Sequence, residues 1–228
     1  MPIKAITFDF GDTLVESKMN LEGFQRALTS LLQTHIGKVK LSEVKSAIDS
    51  ALVRLAETQS DGREMTFEQV YEIVLNRLSC QANAALLKQI RDLYVTNSSP
   101  TFYPCSDELI RNLSRKYPIG LICNSIHDVP RELVSGRGWD KYLTVIVLSR
   151  DVGFRKPRPE IFMRALEGLG VEGEEILHVG DSLVADVAGV LTVGGTPVWV
   201  SHGRNSVWGG YSIESVCDLP ALLQKISI

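Results

Sequence analysis

Short apolar runs recur along the chain, and polar residues follow most of them. The runs cover residues 3–8, 119–123, 145–148, 176–179 and 197–200. Segments in which apolar residues recur at helical spacing separate the later runs from one another. Strands that alternate with helices form βαβ units, in which the strands are parallel. The sequence therefore predicts an α/β protein with a parallel, Rossmann-like sheet.

The region between residues 20 and 97 has a different pattern. Apolar residues recur there at helical spacing in four successive stripes, and no strand pattern interrupts them. Thr66 and Gln69 precede the third stripe at the spacing of a capping box. We therefore predict a core formed by residues 1–16 and 99–228, with an inserted four-helix domain at residues 17–98.

Composition excludes several classes of function. The formal net charge of −3 lacks the basic excess of a nucleic-acid-binding surface. No apolar stretch approaches the roughly 18 residues of a membrane-spanning helix, and the run at residues 3–8 is too short for a signal peptide. The cysteines are widely spaced and lack a CxxC pair, at positions Cys80, Cys105, Cys123 and Cys217. We therefore expect a reduced, cytoplasmic protein without a zinc site or a disulfide.

Polar side chains stand where the predicted strands end. Asp9 follows the first run, Cys123 and Asn124 the second, and Asp181 the fourth, while Lys156 lies downstream of the third. In open α/β sheets ligands bind at the carboxyl ends of the strands, so these groups should meet at one edge. Converging carboxylates repel each other and favour a cation between them. A small oxygen cluster suits Mg²⁺ bridging to a phosphate, and a lysine can neutralise substrate oxygens.

Four segments together resemble the haloacid dehalogenase superfamily of hydrolases. They read ITFDFGDTLV at residues 6–15, LICNS at 121–125, VGFRKPRPEIF at 152–162 and ILHVGDSLVAD at 176–186. Their order and separation make the resemblance specific, and it covers nearly the whole chain. The helical insert after the first segment resembles the cap domain of this superfamily. The resemblance implies a Rossmann-like core that carries the chemistry and a cap that selects the substrate.

The resemblance also implies a phosphatase mechanism. Asp9 would attack phosphorus and form an aspartyl-phosphate. Mg²⁺ would be bound by Asp9, the main-chain carbonyl of Gly11, and Asp181. The substrate would be a small phosphorylated metabolite.

Further positions would support this centre. Lys156 would orient Asp9 and the phosphate, and Asp186 would support the metal site from behind. Thr13 would fix the geometry of the first loop. Cys123 and Asn124 stand where the superfamily holds a phosphate oxygen.

The first loop departs from the superfamily pattern. A second aspartate usually follows the nucleophile by two residues and acts as the general acid, but Gly11 stands there. Since a positioned acid is worth roughly 10²–10⁴ in rate, such a phosphatase would be slow or limited to good leaving groups. Asp12, His127 and Asp128 are candidate substitutes. Alternatively, Asp12 is a turn residue that bonds local backbone, and His127 is a solvated loop histidine.

The second departure is Cys123, where a serine or threonine is usual. A thiol is a weaker donor, so the backbone amides of Asn124 and Ser125 could bind the phosphate instead. Alternatively, Cys123 is a small buried residue at a strand end. We also expect His178 to be a satisfied core histidine, and His202 and Arg204 to lie in a solvated loop.

Two other readings remain open on sequence alone. A dehalogenase or a phosphonate-cleaving enzyme would also lack the second aspartate, but dehalogenases of this superfamily lose the metal-binding acid that Asp181 supplies. Phosphonate cleavage would need a lysine of the cap region, where Lys18, Lys38, Lys40, Lys45 and Lys88 occur. The third reading is a degenerate member that binds a ligand or a partner without turnover. The natural substrate and the oligomeric state do not follow from the sequence.

Overall fold

A computed structural model describes residues 2–226 of the chain. The chain forms two compact units, one made of residues 1–16 and 101–228 and the other of residues 17–100. It passes between them through two short strands, β2 (Val15–Met19) and β3 (Ser98–Phe102), which form a two-stranded sheet.

The first unit is built on a six-stranded sheet. Its strands are β1 (Ala5–Phe8), β4 (Ile119–Cys123), β5 (Val145–Leu148), β6 (Ile176–Gly180), β7 (Thr196–Val200) and β8 (Ser212–Ile213). Their order is β5-β4-β1-β6-β7-β8, and every neighbouring pair is parallel. The predicted parallel-sheet α/β core is confirmed.

Helices cover the sheet and bury it. They are α5 (Ser106–Leu113), α6 (Val129–Gly136), α7 (Ser149–Val152), α8 (Pro159–Leu169), α9 (Gly189–Leu191) and α10 (Leu219–Lys225), with a π-helix at Leu183–Ala188 and 3₁₀ turns at Gly173–Glu175 and Val216–Asp218. Pro159 occupies the first turn of α8, as predicted, where its missing N–H costs no hydrogen bond. Gly170 ends that helix in the left-handed region, with φ 68°.

Alternating side chains along the strands supply two hydrophobic cores. Ile6 and Phe8 of β1 belong to the larger core, and Ala5 belongs to the core that contains Phe162 of α8. Successive side chains of a strand point to opposite faces, so a fully buried strand feeds both cores. All four residues of β1 are buried, which accounts for the predominantly apolar run in the sequence.

The second unit contains the four predicted helices, and this part of the prediction is confirmed. They are α1 (Leu21–Ile36), α2 (Leu41–Ser60), α3 (Phe67–Arg77) and α4 (Ala84–Thr96). The capping box at the start of α3 is present: the Gln69 amide donates to the Thr66 hydroxyl at 3.3 Å, and the Thr66 amide donates to the Gln69 side chain at 2.9 Å. Asn20 and Asn83 accept hydrogen bonds at the starts of α1 and α4.

Strands β2, β3 and β8 have no counterpart among the predicted strands. β2 reads VESKM and exposes three of its five residues, and β8 has only two residues. Neither has an apolar run long enough to stand out from a loop. Proline within β3 also weakens a strand signal.

The expectation that no disulfide is present is wrong. Cys105 and Cys217 form a disulfide with a Cα–Cα distance of 5.6 Å, and 112 residues separate them in sequence. Cys105 precedes α5, and Cys217 lies in the last 3₁₀ turn, so only the fold brings them together. The spacing of the cysteines therefore does not predict the redox state of this chain. Within residues 2–226, no helix combines the length and the apolar character needed to cross a membrane.

Candidate active site

The sheet order explains why polar groups meet at one point. From β1 the chain moves to β4 and β5 on one side, and later to β6, β7 and β8 on the other. The connections on the two sides of β1 therefore diverge at the carboxyl end of that strand, where open α/β sheets bind ligands. Asp9 follows β1, Cys123 ends β4 and Asp181 follows β6. The strands deliver these three side chains to the same edge.

Lys156 is the centre of the site. It is buried, and its Nζ donates to Asp9 Oδ1 at 2.6 Å, to Asp186 Oδ1 at 2.6 Å and to the Ile122 carbonyl at 2.8 Å. Three acceptors match the three donors of an ammonium group, so the lysine is fully satisfied without water. The structure thus brings together three predicted site residues, Asp9, Lys156 and Asp186.

Asp186 is held by several donors at once. Besides Lys156, the His178 ring contacts its Oδ1 at 3.1 Å, and the Ser182 amide donates to its Oδ2 at 2.9 Å. Asp186 sits in the π-helix, a feature that often marks functional sites. Gly180 makes this position possible, because a Cβ there would lie 2.2 Å from Asp186 Cγ.

The charges around Lys156 are unequal. Burial opposes the ionisation of Asp186, but Lys156 and His178 hold the pKa of its carboxyl below the ordinary value. Burial raises the pKa of Asp9 to about 7, Lys156 opposes the rise, and the charges of Asp186 and Asp181 add to it. Although burial opposes its charge, Asp186 and Asp9 hold the pKa of Lys156 above its usual range. One ammonium therefore compensates the charge of two carboxylates, and the compensation is weaker at Asp9 than at Asp186.

A third carboxylate, that of Asp181, adds to the uncompensated negative charge around Asp9. Oxygens of Asp9, Asp181 and Asp186 all lie within 4.8 Å of one another. Burial also raises the pKa of Asp181, and the charge of Asp186 adds to this. An oxygen-only cluster with excess negative charge is the kind of donor set that Mg²⁺ prefers. The residues present therefore fit the predicted metal.

The first loop adopts the conformation that its sequence demands. Asp12 has φ 54°, in the left-handed region that glycine or aspartate tolerates best, whereas Gly11 has no positive φ. The Asp12 amide donates to the Val15 carbonyl at 2.7 Å, so a local backbone bond holds the turn. Asp12 is exposed, and its charge contributes to the raised pKa of Asp181. Thr13 is fully buried beside this turn, and its hydroxyl has no hydrogen-bond partner among residues 2–226.

The second predicted segment is bonded to the backbone of the loop that carries Lys156 and to the helix after β5. The Asn124 side chain accepts from the Lys156 amide at 2.8 Å and donates to the Lys156 carbonyl at 3.1 Å, so it anchors the lysine backbone. The Ser125 amide donates to the Ser149 hydroxyl at 2.8 Å. The hydrogen of the Ser125 amide is therefore already used within the protein.

Cys123 is buried at the end of β4. Burial raises the pKa of its thiol, the charge of Asp9 adds to this, and a contact with the Gly11 backbone opposes it. The residue is therefore a neutral thiol rather than a nucleophile.

The other candidate acids lie in separate contacts. Asp128 forms ion pairs with Arg131 at 2.5 Å and with Arg150 at 3.4 Å. The His127 ring lies 3.1 Å from the Ser125 hydroxyl. Asp128 and His127 are therefore engaged by residues other than Asp9 and Lys156.

His202 and Arg204 lie exposed in the loop after β7, as expected, and both side chains also contact residues of the site. Arg204 donates to the Asp181 carbonyl at 2.8 Å and to the Asp181 carboxylate at 3.2 Å. The His202 ring donates to the Asp12 carbonyl and stacks on Tyr103. Both side chains reach residues of the site across many positions in sequence, which no local pattern signals.

A family model described as haloacid dehalogenase-like hydrolase matches residues 3–194 of the chain. Among curated proteins, a glyceraldehyde 3-phosphate phosphatase from Pyrococcus furiosus is 26% identical over 232 residues, which cover 98% of this chain and 93% of that protein. A phosphoserine phosphatase from Thermus thermophilus is 33% identical over 102 residues, but the match spans only 44% of this chain and 41% of that protein.

The fold has solved counterparts. A 2-haloacid dehalogenase from Pseudomonas syringae superposes with a TM-score of 0.75 over 98% of this chain and 99% of that chain. The two sequences are 22% identical, so the likeness is one of fold.

Proposed function

The chain belongs to the haloacid dehalogenase-like hydrolase family, and we propose that it is a Mg²⁺-dependent phosphatase acting on a small phosphorylated metabolite. The observation that carries the proposal is the ammonium of Lys156, which is shared by Asp9 and Asp186 with Asp181 close by. The phosphatase names of the two curated relatives support the same reaction class.

In the proposed reaction Asp9 is the nucleophile. A carboxylate oxygen of Asp9 forms a bond to phosphorus as the bond to the leaving oxygen breaks, which gives an aspartyl-phosphate. Water then attacks this phosphorus, releases inorganic phosphate and restores the Asp9 carboxylate. Lys156 holds Asp9 Oδ1 through both steps and contributes a positive charge beside the phosphoryl oxygens.

Mg²⁺ would be bound by Asp9, the main-chain carbonyl of Gly11 and Asp181. Bound there, the ion would supply positive charge to phosphoryl oxygens and would favour the ionised Asp9 carboxyl at neutral pH. Asp186 has three donors on its two oxygens, so we assign it the supporting role of fixing Lys156.

The missing acid restricts the substrates in this proposal. Gly11 cannot protonate a leaving group, and no other group is assigned that role here. The enzyme should therefore favour phosphoric esters or anhydrides whose leaving groups depart without a proton, such as acyl phosphates. Asp12 stays the candidate substitute, since it lies near enough to raise the pKa of Asp181.

The rival reactions have less support. A dehalogenase of this family would not need Asp181 beside Asp9. Phosphonate cleavage through a Schiff base needs a desolvated lysine. Lys45 is half-buried, and the other candidate lysines of the helical unit are exposed, at Lys18, Lys38, Lys40 and Lys88.

Two further parts of the proposal concern the setting of the site. We propose that the helical segment of residues 17–98 is the element that selects the substrate. A cytoplasmic location also stays a prediction, and the Cys105–Cys217 disulfide argues against a permanently reducing compartment.

The test is phosphate release from acetyl phosphate and from p-nitrophenyl phosphate, with Mg²⁺ and with a chelator. We expect turnover that needs the metal, is faster with acetyl phosphate and disappears in Asp9→Asn. Asp49→Asn, at an exposed position of α2, is the matched control and should behave as the wild type. Turnover that survives in Asp9→Asn, or in the chelator, would refute the proposal.

A further inference from the structure

His178 is a fully buried histidine that the proposed reaction does not use. It lies in the middle of β6, and its Cα is paired with that of Thr7 in β1. One ring nitrogen, Nδ1, lies 2.9 Å from the Thr7 hydroxyl, and the other, Nε2, lies 3.1 Å from Asp186 Oδ1. Both ring nitrogens are therefore bonded, one toward β1 and one toward the site.

The partners decide which nitrogen carries the proton. Burial lowers the pKa of His178, although Asp186 opposes this, and the lowered pKa favours the neutral ring with one N–H. An ionised Asp186 can only accept, which requires the hydrogen on Nε2. Nδ1 then has the lone pair, and the Thr7 hydroxyl donates to it. The hydrogen bonds thus run in one direction, from Thr7 to His178 to Asp186.

The ring itself has little freedom to move. Phe162 of α8 packs edge-on against it with ring centroids 5.2 Å apart. Gly180 packs closely against Asp186, since a Cβ at position 180 would lie 2.2 Å from the Asp186 Cγ. A ring that is held in place and donates to a carboxylate is the arrangement expected of a residue that orients another.

We propose that His178 is a positioning residue of this site, whose Nε2–H fixes the Asp186 carboxylate and thereby the Lys156 ammonium against Asp9. The chain of contacts is short. His178 and Lys156 share Asp186 Oδ1, at 3.1 and 2.6 Å, and the same Lys156 nitrogen lies 2.6 Å from Asp9. Without the histidine donor, Asp186 could turn its Oδ1 away and take the lysine with it. The kinetic part of this inference rests on the proposed function, while the tautomer does not.

Three substitutions distinguish the effect of losing the hydrogen-bond donor from the effect of losing the volume of the imidazole ring. His178→Gln keeps an N–H near the position of Nε2, His178→Asn keeps an amide only near Nδ1, and His178→Leu fills the space without a donor. We expect the Asn and Leu variants to lose roughly 10–100-fold in kcat, as is usual when a residue behind the reacting groups is removed. The Gln variant should recover most of this. KM should change little in all three, because His178 does not touch substrate.

A direct measurement of the site accompanies the kinetics. Mn²⁺ binding to the whole protein, followed by electron paramagnetic resonance, should weaken in the Leu and Asn variants and recover in Gln. Melting temperatures of all variants separate this effect from a general loss of stability. His35→Gln, at an exposed position of α1, is the matched control. Equal kcat in Gln and Leu variants would overturn the proposal, as would wild-type kcat in Leu.

The tautomer can be tested without any variant. The chain has 4 histidines, so long-range ¹H–¹⁵N spectra of ring-labelled protein can be assigned one residue at a time. We expect the neutral Nε2–H form for His178, and the Nδ1–H form would refute the inference. If the wild type neither binds Mn²⁺ nor turns over, the proposed function fails, and the spectrum still decides the role of His178.

Discussion

Lys156→Met should destabilise the core unit strongly, because it leaves two carboxylates facing each other in a buried site. In the wild type Asp9 and Asp186 each lie 2.6 Å from the Lys156 ammonium, and oxygens of the acidic cluster lie within 4.8 Å of one another. Two charges 4.8 Å apart in a medium with an effective dielectric constant of about 20 repel by about 3.5 kcal/mol. Removal of one member of a buried pair typically costs roughly 3–5 kcal/mol, which agrees with this figure.

The loss should depend on pH with a definite sign. Lys156 opposes the rise in the pKa of Asp9, which already reaches about 7, so its removal raises that pKa further. A carboxyl whose folded pKa lies above its unfolded value binds more protons in the folded state, and stability then falls as pH rises between the two values. Protonation of Asp9 relieves the repulsion at low pH. The variant should therefore be closest to wild type near pH 5 and furthest from it above about pH 8.

Thermal unfolding followed by circular dichroism at several pH values is the assay. A loss of about 3–5 kcal/mol lowers the melting temperature by roughly 6–20 °C in a chain of this size. Lys116→Met, at an exposed position of the same unit, is the control and should melt within about 2 °C of the wild type. A Lys156→Met variant as stable as this control above neutral pH would refute the reasoning, and so would a loss that does not change with pH.

Three further predictions test other parts of the site and fold. Gly11→Asp should fold normally, because a Cβ at position 11 meets nothing within 4 Å. The variant should speed the hydrolysis of substrates with poor leaving groups by up to about 10²–10⁴. An unchanged rate with alkyl phosphates would contradict the idea that a missing acid limits the reaction. Mg²⁺ affinity, measured by calorimetry, should rise with pH by up to about tenfold per pH unit below pH 7 and then level off, because Asp9 must lose its proton to bind the ion. An affinity that does not change with pH would exclude Asp9 as a ligand. Cys217→Ser should lower the free energy of unfolding in urea by about 2–4 kcal/mol relative to the oxidised wild type, since the disulfide with Cys105 closes a loop of more than a hundred residues. The variant should be as stable as the reduced wild type. Equal stability of the variant and the oxidised protein would contradict the pairing.

The core of the fold could be predicted because it depends on local patterns. Buried parallel strands have predominantly apolar sequences, and such runs mark β1 and β4–β7, while the capping box at Thr66 marks the start of α3. Strands β2 and β8 could not be predicted, because each contributes a single buried side chain to the core, Val15 and Ile213, and therefore has no apolar run.

The meeting of the site residues could also be predicted, since parallel strands end at one edge. The hydrogen-bond and ion-pair partners of these residues could not be predicted. Asn124 binds the Lys156 backbone, and Arg204 pairs with Asp181 across 23 residues, contacts that depend on how loops pack in space. The local sequence around an exposed arginine does not distinguish a solvated side chain from one that forms an ion pair. His178 was correctly expected to be a satisfied core histidine, but only the structure identifies Asp186 as its partner.

The central claim is that Asp9 carries the phosphoryl group during turnover. The most direct measurement is to mix the wild type with acetyl phosphate and Mg²⁺, quench in acid, reduce with borohydride and identify the modified residue by mass spectrometry. An aspartyl-phosphate is reduced to homoserine, so the account predicts homoserine at position 9 in the wild type and none in Asp9→Asn. Homoserine at another aspartate, or active wild-type enzyme with no modified residue under conditions that trap a known aspartyl-phosphate, would contradict it.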